Sequence, residues 1–511
     1  MYQVGDRSLG KKPNKLLIIG IDGGDPELIF RRFRNQLPNI SKLKSEGRSG
    51  VSLSTIPSAT IPAWNSFFTG VNPGAHGLFD FTTPPDYHYR INFINSSNRN
   101  VPAFWKTASG AGKKCAVLNF PSCYPPEAMN NGIMISGFDC PLPSGADRSF
   151  VYPAGLYDRI IRKFGQYRIS GFDQVELRSD NMQQAAESLY KTVEYKGNVA
   201  QWLLEQENWD LFMIHFGEVD AACHHFWRYF DNNSPRRTGE EPGSLADVIP
   251  EVYSRVDRQV GELVAQIDDN WAVMLMSDHG FRGTGRNVLH LNNLLASAGL
   301  LKYRRRNLFD DSNVKRILKY IPLPLQKYFF RGKLAEITDR VEGMRRIGNI
   351  DMSKTYAFSE ELNYFPSIRL NLKGRFLQGT VSYHDTLKVL KDAIAAVESS
   401  LDPHGKRVVK SIYRAEEIYS GRFTREAPDL ILELNTPDGY LNGLLPSEPG
   451  GAAVRELVPD EYPGGKGSFP NGGHRRKGFY VIRNYSEYDF SEDEVEIIDL
   501  TRFVHYILDL L

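Results

Sequence analysis

The chain has 511 residues, of which 41% are hydrophobic and 24% are charged, and its formal net charge is +1. This composition is typical of a globular protein and excludes a disordered, collagen-like or nucleic-acid-coating chain, so no nucleic-acid polymer is expected as a partner. The length predicts one large catalytic domain with insertions, or two to three domains.

The first residues lack the apolar stretch of a secretory signal, and the first apolar run, residues 16–21, is far shorter than the ~18 residues of a transmembrane helix. No later run approaches that length, so no transmembrane segment is predicted. Four cysteines without a CxxC pair indicate neither a disulfide framework nor a thiolate zinc site. We therefore expect a cytoplasmic protein.

Short apolar runs recur along the chain and alternate with amphipathic stretches. In order, the runs are LLIIGID, CAVLNF, LFMIHF, AVMLMSD, LILEL and FYVI. Continuous apolar strands are buried on both faces, which is typical of a parallel sheet covered by helices. Residues 181–207 and 245–268 have helical periodicity. We predict an α/β three-layer sandwich with a central, largely parallel sheet and inserted cap or lid segments.

Acidic side chains follow three of these apolar runs directly. Asp22 follows LLIIGI, Asp220 follows LFMIHFGEV, and Asp278 with His279 follows AVMLMS. Ligands of open α/β sheets gather at the carboxyl ends of the strands. We therefore expect these groups to converge on one crevice.

The later part of the chain changes in character. Residues 1–300 are interpreted as the first part of the catalytic core, and 301–346 as a basic helical insertion with about +8 local charge. That insertion is either a lid that attracts anionic substrate or a solvated helical face. Residues 347–511 complete the core, add a small α+β subdomain and contain a long loop, 446–473, which leads to His474.

Asp220 and His224 are four residues apart, so both lie on one face if a helix begins there. A carboxylate with an imidazole suits zinc, manganese or iron. The alternative is a helix-capping aspartate beside a surface histidine. His225 would point about 100 degrees away and is the poorer ligand.

Asp278 and His279 could both face one ion at a sharp turn, although a solvent-facing turn explains the pair as well. Asp22 could equally cap a following helix. Thr60 is a plausible nucleophile only beside a cation, because a threonine hydroxyl is otherwise weakly nucleophilic. Neighbouring serines and threonines prevent composition from choosing it.

Five motifs in order, IDGGD, TIPAW with TGVNPGAHG, DAACH, SDHGF and GGHRRKGFY, resemble the alkaline phosphatase superfamily, and within it the type I phosphodiesterase and nucleotide pyrophosphatase branch. The resemblance implies a phospho-threonine intermediate on Thr60 and two divalent ions, zinc first, with manganese or iron as alternatives. One ion would be held by Asp220, His224 and His474, and the other by Asp22, Asp278, His279 and the Thr60 hydroxyl.

The sequence departs from that family in two places. An Asn that commonly follows the HG dipeptide and binds a phosphate oxygen is Phe81 here. Asn95, a backbone amide or a basic side chain would have to replace this donor. The tripeptide Pro-Asn-His often follows the nucleophile in the family, and Pro62, Ala63 and Trp64 take its place here. Trp64 is either a stacking surface for substrate or a core aromatic.

The expected substrate is a small-molecule phosphate ester, of the phosphodiester or nucleotide pyrophosphate type. No arginine lies within the nucleophile motif, which favours a diester over the more highly charged monoester. A phosphomonoesterase or phosphonate hydrolase on the same scaffold is the first alternative. A metal-binding interaction protein without catalysis is the second.

Overall fold

The computed structural model describes residues 12–137, 147–170, 181–239, 241–304, 346–362, 365–462, 469–484 and 494–510. Its strands are β1 (Lys15–Ile21), β2 (Arg48–Leu53), β3 (Cys115–Leu118), β4 (Gly132–Ile135), β5 (Val151–Tyr152), β6 (Leu211–Phe216), β7 (Trp271–Met276), β8 (Gly280–Leu289), β9 (Ala357–Phe358), β10 (Ser367–Leu370), β11 (Val409–Arg414), β12 (Leu430–Leu434), β13 (Leu441–Leu444), β14 (Val454–Glu456), β15 (Gly472–Arg475), β16 (Lys477–Arg483) and β17 (Glu494–Glu496).

Helices connect and cover these strands. They are α1 (Pro38–Glu46), α2 (Thr60–Thr69), α3 (Pro73–His76), α4 (Phe104–Gly110), α5 (Gly155–Phe164), α6 (Met182–Gln206), α7 (Glu218–Phe230), α8 (Val248–Val264), α9 (Leu291–Ser297), α10 (Thr386–Glu398), α11 (Ala415–Ile418) and α12 (Ile497–Leu508). Within the ranges described, no helix is long and apolar enough to cross a membrane.

The main sheet has nine strands in the order β17-β2-β16-β7-β1-β6-β3-β4-β5. Its centre is parallel, because β1 pairs with β6 and β7, and β3 pairs with β4 and β6, all in the same direction. Only β16 and β5 run antiparallel to their neighbours in this sheet. The predicted central, largely parallel sheet is confirmed.

Alternating side chains of β1 enter two separate cores. Leu17, Ile19 and Ile21 pack with α1, α6, α7 and α8 on one face of the sheet. Leu16 and Ile18 pack with α2, α4 and α12 on the other face. Side chains of a strand alternate between faces, so a continuous apolar run is what two covering helix layers require. The three-layer sandwich is therefore confirmed.

One apolar run belongs to a different sheet than predicted. The LILEL run forms β12 in an antiparallel four-stranded sheet with the order β11-β12-β10-β9. Together with α9 and α10, this sheet encloses its own apolar core. The hydrophobic run predicted a strand correctly, but it carried no information about which strands would pair with it.

A third sheet contains β8 and three strands that come later in the chain. Strand β8 pairs with β13, β14 and β15. Residues 454–456, which the sequence predicts to be loop, form β14 because they find a partner edge in residues 287–289. The backbone then returns to the main sheet through β16, next to β7.

The proposed basic lid largely lies outside the described residues, since 305–345 are not among them. The boundaries at residues 300 and 346 stay a prediction.

Candidate metal centre

All seven residues of the predicted site lie at the carboxyl edge of the main sheet or beside it. Asp22 follows β1, Thr60 opens α2, Asp220 and His224 lie on α7, Asp278 and His279 lie between β7 and β8, and His474 lies on β15. The register aligns the strand ends, because Ile21 pairs with Phe216 and Gly20 pairs with Met276. Parallel strands therefore deliver their last side chains to one edge.

A glycine allows the first loop to approach α7 closely. Gly23 has φ 66°, and a Cβ there would lie 3.2 Å from the Cα of Asp220 and 2.9 Å from the ring of Phe281. Any larger residue would be strained by its backbone conformation and would push these elements apart. The glycine of the IDGGD motif thus brings Asp22 and Asp220 into one site.

Asp220, His224 and His474 form the first cluster. The Oδ1 atom of Asp220 lies 3.3 Å from Nε2 of His224 and 3.2 Å from Nε2 of His474. The two Nε2 atoms are 3.0 Å apart. Ligands of a tetrahedral zinc ion, at about 2.0–2.2 Å from the metal, are separated by roughly 3.3–3.5 Å. The observed spacing is within a few tenths of an ångström of that value.

Asp22, Asp278, His279 and Thr60 form the second cluster. The Nε2 atom of His279 lies 3.2 Å from Oδ2 of Asp278, 3.5 Å from Oδ1 of Asp22 and 3.3 Å from Oγ1 of Thr60. The rings of His279 and His474 stack with centroids 3.7 Å apart. The two clusters therefore adjoin, and the ligand atoms of Asp220, His279 and His474 also fall within 4.8 Å of one another.

The three histidines present the same nitrogen to the site. Each Nδ1 faces a backbone carbonyl: His224 that of Gly472 at 2.8 Å, His279 that of Gly280 at 3.2 Å, and His474 that of Ser58 at 3.0 Å. A carbonyl only accepts hydrogen bonds, so Nδ1 carries the proton and Nε2 of the neutral ring carries a lone pair. Two such lone pairs 3.0 Å apart repel unless a cation lies between them.

The carboxylates also offer oxygens that accept no hydrogen bond from the described residues. These buried atoms are Oδ1 of Asp22, Oδ2 of Asp278 and Oδ1 of Asp220. Burial, together with the charge of Asp22, raises the pKa of Asp278 well above its usual range. Buried acceptors without donors are costly, and a divalent cation removes that cost. The donor set therefore fits two metal ions.

Asp22 is oriented by two side chains from different elements. Its Oδ2 accepts a hydrogen bond from Nε1 of Trp64 at 3.1 Å and lies 2.9 Å from Nε2 of His215. The other oxygen, Oδ1, is therefore the one directed towards His279. Such outer contacts fix ligand geometry and tune metal affinity.

The placement of Trp64 corrects its interpretation as a stacking surface for substrate. The indole has no exposed surface and packs among Phe67, Phe68 and Phe120. A ring without an exposed face cannot stack on a ligand, so the alternative interpretation as a core aromatic holds. Its polar edge binds Asp22 in addition.

Asn95 has a local structural role. Its Oδ1 accepts a hydrogen bond from the backbone N–H of Ser97 at 2.9 Å and caps a short helical turn. Its part in binding a phosphate oxygen stays a prediction. Phe81, at the position of the family Asn, packs against a cluster that contains Ile61, the residue directly after Thr60.

His215 is a site residue that the sequence analysis missed. It lies within β6, fully buried, and faces Asp22. The available signal was the ionisable residue inside the otherwise apolar run LFMIHF. An imidazole buried in a strand needs a polar partner, and the nearest strand end carries Asp22.

Solved structures share this fold over nearly their whole length. Phosphonoacetate hydrolase from Sinorhizobium meliloti, in complex with phosphonoformate, is 12% identical, with a TM-score of 0.53 and coverage of 99% of this chain and 98% of that one. Human ectonucleotide pyrophosphatase / phosphodiesterase 5 is 11% identical, with a TM-score of 0.50 and coverage of 97% and 95%.

A third similar structure is the murine form of the latter protein, an inactive threonine-to-alanine variant in complex with AMP. It is 12% identical, with a TM-score of 0.50 and coverage of 98% and 96%. At these identities the likeness establishes the fold. No curated protein matched the sequence.

The family comparison is more specific. The model of type I phosphodiesterase / nucleotide pyrophosphatase matches residues 16–441, which include every site residue named above except His474. The match confirms the resemblance inferred from the motifs. The chain therefore belongs to the type I phosphodiesterase / nucleotide pyrophosphatase family of phosphate-ester hydrolases.

Proposed function

We propose that this enzyme hydrolyses phosphodiesters, or the related bond of nucleotide pyrophosphates, with Thr60 as nucleophile and two divalent cations as cofactors. The observation that carries the proposal is the position of the Thr60 hydroxyl, 3.3 Å from Nε2 of His279, whose ligand atom lies within 4.8 Å of ligand atoms from both clusters. Zinc suits this mixture of ligands best, and manganese or iron are alternatives.

Asp220, His224 and His474 would hold one cation, and Asp22, Asp278 and His279 would hold the other next to Thr60. When bound, two such ions would lower the pKa of the attacking hydroxyl and would neutralise phosphate oxygens. Thr60 contributes its own position to this chemistry. It is the first residue of α2, where the partial positive charge of the helix N-terminus favours an oxygen that becomes anionic.

The reaction would proceed in two displacements. First, Oγ1 of Thr60 forms a bond to phosphorus while the bond from phosphorus to the leaving alcohol breaks, which leaves the remaining ester on Thr60. Water then attacks phosphorus, the bond to Oγ1 breaks, and the threonine hydroxyl is restored. Covalent catalysis divides one difficult displacement into two easier ones. The murine protein of this fold is inactive when one threonine is replaced by alanine, which agrees with a threonine nucleophile.

The charge of the site favours a diester. Three ionised carboxylates and two divalent cations leave one net positive charge, which one phosphodiester anion balances. A dianionic monoester would leave an excess negative charge in a buried site. Carboxylates and imidazoles, rather than arginine or lysine, supply the main charges near the site. They act on the ligand carboxyls and on His224 and His279.

A diester carries a second substituent, for which an apolar or aromatic surface would be the fitting neighbour. A guanidinium beside the phosphate would instead favour a monoester.

A comparison of substrates tests this proposal. Metal-reconstituted protein is assayed on bis(p-nitrophenyl) phosphate, p-nitrophenyl phosphate and a p-nitrophenyl phosphonate. We expect the highest kcat/KM for the diester. A higher value for the monoester or the phosphonate would assign the enzyme to that class. Two bound ions without turnover of any ester would favour the non-catalytic alternative.

We also propose a cytoplasmic location, supported by the four sparse cysteines of the sequence, which form no CxxC pair. Fractionation of the source cells with immunodetection of the protein tests it.

A further inference from the structure

The carboxylate of Asp25 is buried and accepts five hydrogen bonds, although it belongs to neither ligand cluster. Arg475 donates from Nε to Oδ2 at 2.5 Å and from Nη2 to Oδ1 at 2.7 Å. The backbone N–H of Phe281 donates to Oδ2 at 3.0 Å. The N–H groups of Glu27 and Leu28 donate to Oδ1 at 2.9 and 3.2 Å.

Three of these hydrogen bonds join the loop of Asp25, which itself carries a ligand, to two other ligand-bearing segments. Asp25 itself lies three residues after Asp22 in the loop that follows β1. Phe281 is two residues after His279, and Arg475 directly follows His474. One carboxylate thus joins β15, which carries His474 of the first cluster, to the segments that carry Asp22 and His279 of the second cluster.

The backbone around this ion pair leaves little freedom. In the pairing of β15 with β8, His474 lies opposite Phe281 and Arg475 lies opposite Gly280. A Cβ at Gly280 would lie 2.9 Å from Oδ2 of Asp25 and 2.0 Å from the carbonyl oxygen of Lys477. The glycine is therefore required for the carboxylate to approach the strand pair.

We propose that the Asp25–Arg475 pair is a positioning pair that fixes the separation of the two cation sites. The inference rests on the proposed two-metal function. The planar guanidinium binds a carboxylate through two parallel hydrogen bonds, which restrains orientation as well as distance. Because Arg475 adjoins His474, a change in its orientation shifts the imidazole of the first cluster relative to Asp22 and His279.

The experiment compares wild-type protein with Asp25→Asn, Arg475→Lys and the double variant Asp25→Asn/Arg475→Lys. Arg475→Lys keeps the charge and loses the two-point geometry, so it preserves folding best. Manganese affinity is measured by competition with a chelator, and the coupling between two bound Mn²⁺ ions is measured by electron paramagnetic resonance. Neither readout requires turnover.

We expect each single variant to bind manganese 10- to 100-fold more weakly, the range typical of outer contacts of metal ligands. We also expect the spin coupling to change, because it depends on the distance between the ions. The double variant should be no weaker than the weaker single variant, since residues acting as a unit give non-additive effects.

Arg455→Gln is the matched control. Arg455 forms an equally bidentate pair with Glu461, at 2.8 and 2.7 Å. It lies opposite Val288, seven residues along β8 from Phe281, roughly 23 Å away at the rise of a strand. Its loss should leave manganese affinity and spin coupling unchanged.

Wild-type affinity and coupling in Asp25→Asn and Arg475→Lys would overturn the inference while leaving the proposed function intact. An equal loss in Arg455→Gln would also overturn it, because the effect would then reflect general destabilisation. Wild-type protein that bound no cation would refute the proposed function, and this inference with it.

Discussion

Replacing Thr60 with alanine removes the hydroxyl that we propose as the nucleophile and changes little else. The side chain is 4% exposed and supplies one neutral oxygen to the second cluster, whose other members are two carboxylates and an imidazole. Helix α2 has no side-chain cap to lose, because its N-cap residue is Ala59. The cost to folding should therefore be limited to roughly 1–2 kcal/mol, the usual range for a point mutation.

Loss of a catalytic nucleophile typically lowers kcat by a factor on the order of 10⁴ to 10⁶. This corresponds to about 5–8 kcal/mol of lost transition-state stabilisation. We expect that loss for Thr60→Ala on bis(p-nitrophenyl) phosphate, together with two metal ions per chain after dialysis. Thr60→Ser keeps a hydroxyl at the same position and should retain measurable turnover.

Two measurements separate this prediction from direct attack by water. Acid-quenched wild-type enzyme should contain a phosphoryl adduct on the peptide that includes Thr60, detected by mass spectrometry. A chiral phosphorothioate diester should react with overall retention, because two displacements each invert phosphorus. Activity of Thr60→Ala within tenfold of wild type, or inversion at phosphorus, would refute the assignment of the nucleophile.

Three further predictions concern the ligands and the buried histidines. His474→Ala should lose one metal equivalent with a large fall in rate, and two retained equivalents, measured by elemental analysis, would contradict the ligand assignment. Trp64→Phe should weaken metal binding 10- to 100-fold without changing the ratio of KM values for aromatic and methyl diesters; a changed ratio would restore the stacking interpretation. Burial, with the charge of Arg99, lowers the pKa of His76 to about 3, from an unfolded value near 6.5. The folded state therefore binds fewer protons between these values, so this contribution to stability is complete above about pH 6.5 and declines as pH falls towards 3, by about 1.4 kcal/mol per pH unit. Urea unfolding of metal-free protein from pH 7.5 to 4.5 should show a flatter pH dependence for His76→Gln than for wild type, and identical slopes would contradict the prediction.

The sequence determined the layers of the fold, because a strand that is buried on both faces has apolar residues at nearly every position. A strand such as residues 16–21 is apolar throughout only when helices cover both sides of its sheet. The order of the five motifs also identified the family, and the ligand types followed from those motifs. The structure brings Oδ1 of Asp22 to 3.5 Å from Nε2 of His279, as the predicted convergence of the strand ends requires.

Only the tertiary structure decided which strand pairs with which and what lies next to each ligand. The LILEL run joined the antiparallel sheet, and residues 454–456 became a strand, because pairing depends on an available edge elsewhere in the fold. The contacts of Trp64 and His215 with Asp22, and of Arg475 with Asp25, connect residues 42 to 450 positions apart. Local periodicity indicates whether a side chain is buried. It does not indicate which residue that side chain contacts, because the contact depends on the packing of the whole chain.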